Sequence, residues 1–293
     1  MADDTSTSGI PMPHPEPPPP GGERRSVSSR ILRASFAIML AHVILKILSP
    51  IQYALIGHFC NDVTRDLFIF GFELLGMLFL IGEESLGPAF LPVFLERKHE
   101  EGEEAAWGFA NTILTAQCVL IAAVVALVAC TPVRVVELLT TWGAEGRNPD
   151  YMALAPEYAR YMVLALFGMS LGSTTYMLLN GYKRFFLAAF GDAVLKLGLV
   201  GALATGWALH MDINGGEALW VFTFGLVVGS VLKLGTHLVG LRGELRLFRF
   251  RFDLRDPGLR KFLILVAPLI LGIVFAKVRD AYNNIVVLSY LSE

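Results

Sequence analysis

Residues 107–130 read WGFANTILTAQCVLIAAVVALVAC, a run without a single charged side chain. A helix needs about 20 mostly apolar residues to cross the hydrocarbon core of a bilayer, so this run predicts a membrane-spanning helix. Six further windows of similar character lie at about 34–58, 67–94, 153–180, 185–209, 217–241 and 260–290. The sequence therefore predicts an all-α, polytopic membrane bundle of about seven spans.

The composition of the whole chain favours a bilayer environment. Of its 293 residues, 54% are hydrophobic and 17% are charged, an apolar excess that a water-exposed surface does not accommodate. The net charge of −2 provides no concentrated basic face, so we expect no nucleic-acid partner. The three cysteines, Cys60, Cys118 and Cys130, lack CxxC or Cys/His spacing. We therefore expect neither a disulfide framework nor a metal site.

Four segments divide the chain. Residues 1–26 hold seven of the fifteen prolines and predict a disordered tail. Residues 27–241 predict a six-helix transmembrane lobe. In residues 242–259 arginine alternates with leucine and phenylalanine, which is typical of a basic amphipathic linker at the membrane interface. Residues 260–293 predict the seventh span.

Lysine and arginine are distributed unequally between the two sides of the predicted spans. Fifteen lie in the tail and in the loops that follow the second, fourth and sixth spans, and three lie in the other loops. Cytoplasmic loops are enriched in positive charge. We therefore expect a multi-pass protein of the cytoplasmic (inner) membrane with a cytoplasmic N-terminus. The loops at 95–106, 181–185 and 242–260 are then inside, and those at 59–66, 131–152 and 210–216 are outside.

The first predicted span carries a polar stripe. His42, Lys46, Ser49 and Tyr53 recur at i, i+4, i+7 and i+11, so they share one face of an otherwise apolar helix. Lys46 lies about 12 residues into the span, roughly 18 Å at 1.5 Å per residue, near the bilayer midplane. Because a charge at that depth is costly, Lys46 either lines a cavity or is neutralised by a neighbouring glutamate, and we favour the cavity.

Other spans also contain ionisable side chains. Asp192 and Lys196 are one turn apart in the fifth span and can neutralise each other. The second span carries acids, glycines and prolines that suit either a kinked, movable helix or close packing. The cavity candidates are Lys46, Glu83, Glu84, Lys233 and Lys277, and the candidates for ion coupling are Glu73, Asp192 and Lys196. Polar neighbours of these candidates are Ser230 and His237 in the sixth span and Asp280, Asn283 and Asn284 in the seventh.

No catalytic motif accompanies these charges. The sequence has no Walker lysine loop, no GxSxG, no HExxH and no paired Cys/His. We therefore expect no enzyme activity and no cofactor. A helical bundle with charges at mid-depth is typical of a secondary transporter or a flippase.

Three stretches resemble one known family. Residues 83–94, EESLGPAFLPVF, resemble the AEGAxxxAFVPxx signature that ends the second helix of MurJ/MviN lipid II flippases, with Glu83 on the family's functional glutamate. Residues 179–185, LNGYKRF, resemble the family's LNxxxRF turn. Residues 252–260, FDLRDPGLR, and residues 267–272, APLILG, resemble its basic linker and the PxxLG opening of its seventh helix.

The resemblance runs from about residue 34 to the end of the chain. It implies the fold of the MOP exporter superfamily, in which two six-helix lobes surround a cationic cavity and alternating access carries an undecaprenyl-pyrophosphate-linked peptidoglycan precursor outward. The implied partners are this lipid-linked glycan and membrane lipids. The chain matches the first lobe and the seventh helix, so we expect that a C-terminal lobe needed for activity is missing. We also expect that the chain alone does not transport.

The chain departs from the family at the implied diphosphate site. Lys46 aligns with the first arginine of the family's first helix and Gln52 with the second, and Leu78 and Phe79 stand where the second helix has an arginine pair. Asp66 matches the acidic residue after the first loop. Because an arginine fork grips phosphate in a bidentate manner and lysine does not, these departures predict a weaker diphosphate site.

Two other functions are compatible with the sequence. One is a MATE-type ion-coupled antiporter of small molecules, in which Glu83, Glu84 or Asp192 binds H⁺ or Na⁺. The other is a degenerate membrane protein that does not transport. A lipid-diphosphate binder should show a cationic cavity, whereas an antiporter should show a buried acid without a cationic partner.

Overall fold

The structure is a computed structural model that describes residues 21–140, 149–209, 211 and 216–282. Every regular element in these ranges is helical, which confirms the predicted all-α class. The α-helices are α1 (Gly21–Phe59), α2 (Asp62–Glu100), α3 (Glu103–Cys130), α4 (Pro132–Leu139), α5 (Pro149–Met162), α6 (Ala165–Gly181), α7 (Phe185–Ala208), α8 (Gly216–Gly240) and α9 (Pro257–Tyr282).

Six helical stretches in the described ranges are long and apolar enough to cross a bilayer, and they coincide with six of the predicted windows. They are Ile38–Gly57, Glu103–Cys130, Pro149–Gly181, Phe185–Ala208, Gly216–Gly240 and Pro257–Ala276. The remaining window, 67–94, lies inside α2, which has Pro88 and Pro92 in its interior. At about 1.5 Å per residue, α2 is also long enough to cross the hydrocarbon core.

Two elements differ from the predicted windows. The fourth window is interrupted, because α5 ends at Met162 and α6 begins at Ala165. At this break the amides of Leu164 and Phe167 bond to carbonyl groups three residues earlier, the tighter pattern of a 3₁₀ turn. Part of the predicted outer loop at 131–152 is the short helix α4, which begins with a proline in its first turn.

α8 packs against α6 and α7. Glycines allow α7 and α8 to approach closely, since a Cβ atom on Gly198 would lie 2.6 Å from the Cα atom of Gly229. Small residues at such contacts are a common way for membrane helices to associate. α1 packs on α7 and α9 packs on α2, and the spans in α1 and α9 are the least buried of the six.

Two buried apolar clusters fill the bundle. One surrounds the N-terminal half of α2 and includes Leu67, Phe68 and Phe222. The other surrounds the C-terminal half of α2 and includes Phe90 and Trp107. Bulky aromatic side chains in both clusters supply large contact areas between helices.

The segment between α8 and α9, here called the linker (residues 241–256), contains only a 3₁₀ turn at Leu245–Leu247 and irregular chain. Asp256 caps the N-terminus of α9, because its Oδ1 accepts a hydrogen bond from the amide of Gly258 at 2.7 Å. The same oxygen pairs with the guanidinium of Arg97 near the end of α2. The start of α9 is therefore held against α2.

Candidate functional site

Two basic side chains of α8, Lys233 and His237, are buried in the bundle. They are one turn apart, so they share a face of the helix. Glycines on the facing helices leave the space that they occupy. A Cβ atom on Gly172 of α6 would lie 2.9 Å from Cε of Lys233, and one on Gly191 of α7 would overlap the ring of His237. The α6–α7–α8 contact is therefore built around two large polar side chains.

The ammonium group of Lys233 forms an ion pair with Asp192 of α7, at 2.6 Å. Lys233 is 4% exposed and the Asp192 side chain is 34% exposed. Asp192 therefore pairs with Lys233 of another helix and not, as the spacing predicts, with Lys196 of its own helix. Lys196 has no ion pair in the described part of the chain. A charge inside a membrane protein is stabilised by such a partner. Asp192 is thus a partnered carboxylate.

Both ring nitrogens of His237 are engaged. Nε2 lies 3.1 Å from the carbonyl oxygen of Ala188 on α7. Nδ1 lies 3.0 Å from the carbonyl oxygen of Gly172 and 3.0 Å from the hydroxyl oxygen of Thr175, both on α6. The ring therefore joins three helices and stabilises their arrangement.

The polar stripe of α1 is largely uncovered. His42, Lys46 and Tyr53 are exposed, and Ser49 is half-buried with its hydroxyl donating to the carbonyl of Leu45 at 2.9 Å. Lys46 has no ion pair among the described residues. The role of Lys46 as a cavity residue stays a prediction.

Gln52 lies on another side of α1. It follows Lys46 by six positions, which places the two side chains about 120° apart around the helix. Gln52 is 2% exposed, and its Oε1 has no hydrogen-bond partner among the described residues. The two α1 residues that the family resemblance assigns to the diphosphate therefore do not share a face.

The structure tests few of the other predicted site residues. Glu73 is exposed on α2 and makes no ion pair within the described ranges. The side chains of Glu83, Glu84, Lys277 and Asp280 lie outside those that the structure describes, and so do residues 283 and 284. The cavity predicted to be shared by Lys46, Glu83 and Glu84 stays a prediction.

Asp66 is half-buried near the N-terminus of α2. It accepts a hydrogen bond of 2.9 Å from the hydroxyl of Tyr151, near the start of α5. Its other carboxylate oxygen lies 4.0 Å from Nε of Arg65. In this arrangement Asp66 joins the predicted outer ends of α2 and α5.

One buried polar network was not among the sites predicted from the sequence. Gln117 of α3 donates from Nε2 to the carbonyl and hydroxyl oxygens of Ser170, both at 2.9 Å, and its Oε1 accepts from the hydroxyl of Thr174 at 2.6 Å. The network links α3 to α6. Gln117 is the one side-chain amide in the apolar stretch from Ile113 to Cys130. Its isolated position is the feature of the sequence that indicates a buried polar contact.

Ion pairs also join helix ends on the predicted cytoplasmic side. Arg184, at the start of α7, forms a bidentate pair with Glu244 at 2.7 and 2.8 Å. Partial burial lowers the pKa of the Arg97 guanidinium, but Glu101 and Asp256 outweigh burial, so its pKa is raised from the ordinary value. From the sequence these arginines indicate only topology, because Asp256 and Glu244 lie far from them along the chain.

Comparison with known proteins identifies the family of this chain. The model of the family described as "Lipid II flippase MurJ" matches residues 57–287, more than half of the chain. This chain belongs to the MurJ family. The predicted resemblance is thereby confirmed, although Lys46 and Gln52 precede the matched range.

Three curated members of the MurJ family are similar to this chain. The lipid II flippase MurJ of Burkholderia cenocepacia is 25% identical over 226 residues, which cover 75% of this chain and 42% of the relative. The probable lipid II flippases MurJ of Borreliella burgdorferi and Rhizobium meliloti are each 25% identical, over 49% and 64% of this chain and 27% and 35% of the relatives. The chain thus spans less than half the length of the curated MurJ relatives it matches.

Proposed function

We propose that this chain is part of a flippase that moves an undecaprenyl-diphosphate-linked peptidoglycan precursor, lipid II, across the cytoplasmic membrane by alternating access. The observation that carries the proposal is the match to the MurJ family over residues 57–287. In this proposal the N-terminus is cytoplasmic, in agreement with the distribution of lysine and arginine between the loops.

In this proposal Lys46 contributes positive charge to the diphosphate site. Its side chain is exposed and forms no ion pair among the described residues, so no pair has to break when an anion binds. A lysine attracts phosphate as a compact charge rather than through a planar fork. The charge of the diphosphate, more than the geometry of its oxygens, would then determine the strength of the contact.

The buried basic residues of α8 have a different role in this proposal. Lys233 is paired with Asp192, and both ring nitrogens of His237 are bonded to α6 and α7. In this role Lys233 and His237 stabilise the packing of α6, α7 and α8 and do not bind the precursor. The ion-coupled antiporter has less support, because Asp192, one of its three candidate acids, has a cationic partner.

A binding measurement tests the proposal. The purified chain in detergent micelles is titrated with fluorescent lipid II and, in parallel, with fluorescent undecaprenyl monophosphate. We expect tighter binding of lipid II, and we expect Lys46→Ala to weaken it by about 5- to 10-fold, or about 1 to 1.4 kcal/mol. Lys46→Arg should retain the affinity, and Lys261→Ala is the control for loss of an exposed lysine elsewhere. Equal affinity for the two lipids would contradict the proposed substrate.

A further inference from the structure

A polar groove of about 340 Å³ lies between the beginning of α3 and the linker. Its walls include Glu104, Trp107 and Asn111 of α3 and Leu247, Arg249 and Arg251 of the linker. No predicted substrate or ion-coupling residue lines this groove. It is therefore separate from the site discussed for the precursor.

Two hydrogen bonds hold the linker along α3. The side-chain amide of Asn111 donates to the carbonyl of Leu247 at 2.9 Å, and the amide of Arg251 donates to the hydroxyl of Thr115 at 3.2 Å. Between these points the chain has no helix. In an extended chain, side chains point alternately to opposite sides. Leu247 and the arginines line the groove, and Phe248, Phe250 and Phe252 are 36%, 78% and 57% exposed.

Residue counting along α3 places the groove at the level of the membrane boundary. α3 ends at Cys130. A helix needs about 20 residues to cross the hydrocarbon core. Counting back that many residues from Cys130 places the inner boundary near Asn111, with Thr115 one turn further into the membrane. Exposed phenylalanines at this level contact acyl chains, whereas arginine side chains require phosphate groups or water.

The groove has one unpaired group of each charge. Arg251 is paired with Asp253 at 2.7 Å, and the hydrogen bond from Arg251 lowers the pKa of that carboxyl. Arg249 and Glu104 are exposed and have no ion pair among the described residues. A ligand that complements both residues carries one negative and one positive group.

We propose that this groove binds the headgroup of phosphatidylethanolamine, with its phosphate on Arg249 and its ammonium on Glu104. The acyl chains lie beside Phe248, Phe250 and Phe252. A purely anionic headgroup would place a second negative charge near Glu104, which is unfavourable. A phosphatidylcholine headgroup has the same charges, but its methylated nitrogen has no N–H to donate to the carboxylate. This inference does not depend on the proposed transport of lipid II.

Native mass spectrometry of the purified chain tests this site. Phosphatidylethanolamine, phosphatidylcholine and phosphatidylglycerol with identical acyl chains are added in turn, and bound lipid is counted. We expect phosphatidylethanolamine to bind about 5-fold more tightly than either of the others, which corresponds to about 1 kcal/mol, the usual net contribution of one hydrogen bond. Glu104→Gln should abolish its advantage over phosphatidylcholine, and Arg249→Gln should weaken binding of all three lipids.

Two exposed residues outside the groove provide matched controls. Glu100→Gln and Arg246→Gln change the net charge by the same amounts and should leave the lipid preference unchanged. Preferential binding of phosphatidylglycerol by the unaltered chain would overturn the assignment. Control variants that reduce binding as much as the groove variants would also overturn it, because the effect would then come from overall charge.

Discussion

Gly172 and Gly191 make it possible for the α8 cations to lie inside the bundle. Lys233 passes over Gly172, and the ring of His237 occupies the place where a side chain of residue 191 would begin. Nε2 of His237 lies 3.1 Å from a carbonyl oxygen of α7, and Nδ1 lies 3.0 Å from the Thr175 hydroxyl on α6, so the ring has little freedom to move aside. A methyl group at position 191 would therefore separate α7 from α8.

Gly191→Ala should lower the free energy of unfolding by about 1–3 kcal/mol, the usual cost of overpacking a close contact. Gly201→Ala is the matched control on α7, because a Cβ atom there meets nothing within 4 Å. The control should be unchanged or slightly more stable. The measurement is the denaturation midpoint of the purified chain in detergent. Equal midpoints for the two variants would show that α7 and α8 are not in this close contact.

Removal of the two partners of the Asp192–Lys233 pair should have unequal effects. Asp192→Leu leaves the more deeply buried charge of Lys233 without a partner and should cost up to about 3–5 kcal/mol. Lys233→Met leaves the partly exposed Asp192 and should cost less. The double variant should recover most of the loss, and Lys196→Met is the single-lysine control. Additive losses in the double variant would contradict a direct ion pair.

At the scale of the helices, Asp256 performs two tasks at the start of α9. Its carboxylate caps the helix through the amide of Gly258, and it also pairs with Arg97 of α2. Asparagine at this position keeps an acceptor for the cap but loses the charge. Alanine loses both. The two substitutions therefore separate the cap from the ion pair.

Hydrogen–deuterium exchange of the backbone amides of residues 258–261 measures this anchoring, since Pro257 has no amide hydrogen. We expect exchange to be faster in Asp256→Asn and fastest in Asp256→Ala, where loss of the cap alone costs about 1 kcal/mol, or about 5-fold. Asp253→Ala is the control, because Asp253 pairs with Arg251 inside the linker. If Asp256→Ala exchanged no faster than this control, α9 would not be anchored through Asp256.

The positions of most helices follow from hydropathy, because the bilayer requires long apolar segments. The break between α5 and α6 does not, since Val163 and Leu164 are neither glycine nor proline and an apolar window does not report a local 3₁₀ turn. Helix α4 also does not follow from hydropathy, because it is shorter than a span and lies in the predicted outer loop at 131–152.

At the scale of the whole molecule, the family was predictable because its motifs occupy contiguous residues such as 83–94 and 179–185. The arrangement of charges was only partly predictable. Spacing along one helix shows that Lys233 and His237 share a face, but it does not show that Asp192 reaches across from α7. The same limit applies to the contacts of Gln117 with α6, which join residues far apart in the sequence.

In the proposed function, the polar stripe of α1 faces a lipid-linked peptidoglycan precursor. Photocrosslinking in bacterial cells tests it most directly, with benzoylphenylalanine introduced in place of Tyr53 on the stripe or in place of Phe224 on α8. Both are exposed aromatic residues, 69% and 67% respectively, so the substitutions are matched. We predict capture of lipid II at position 53 and not at 224, with capture at 53 reduced by Lys46→Ala. Equal capture at both positions, or none at position 53, would contradict the claim.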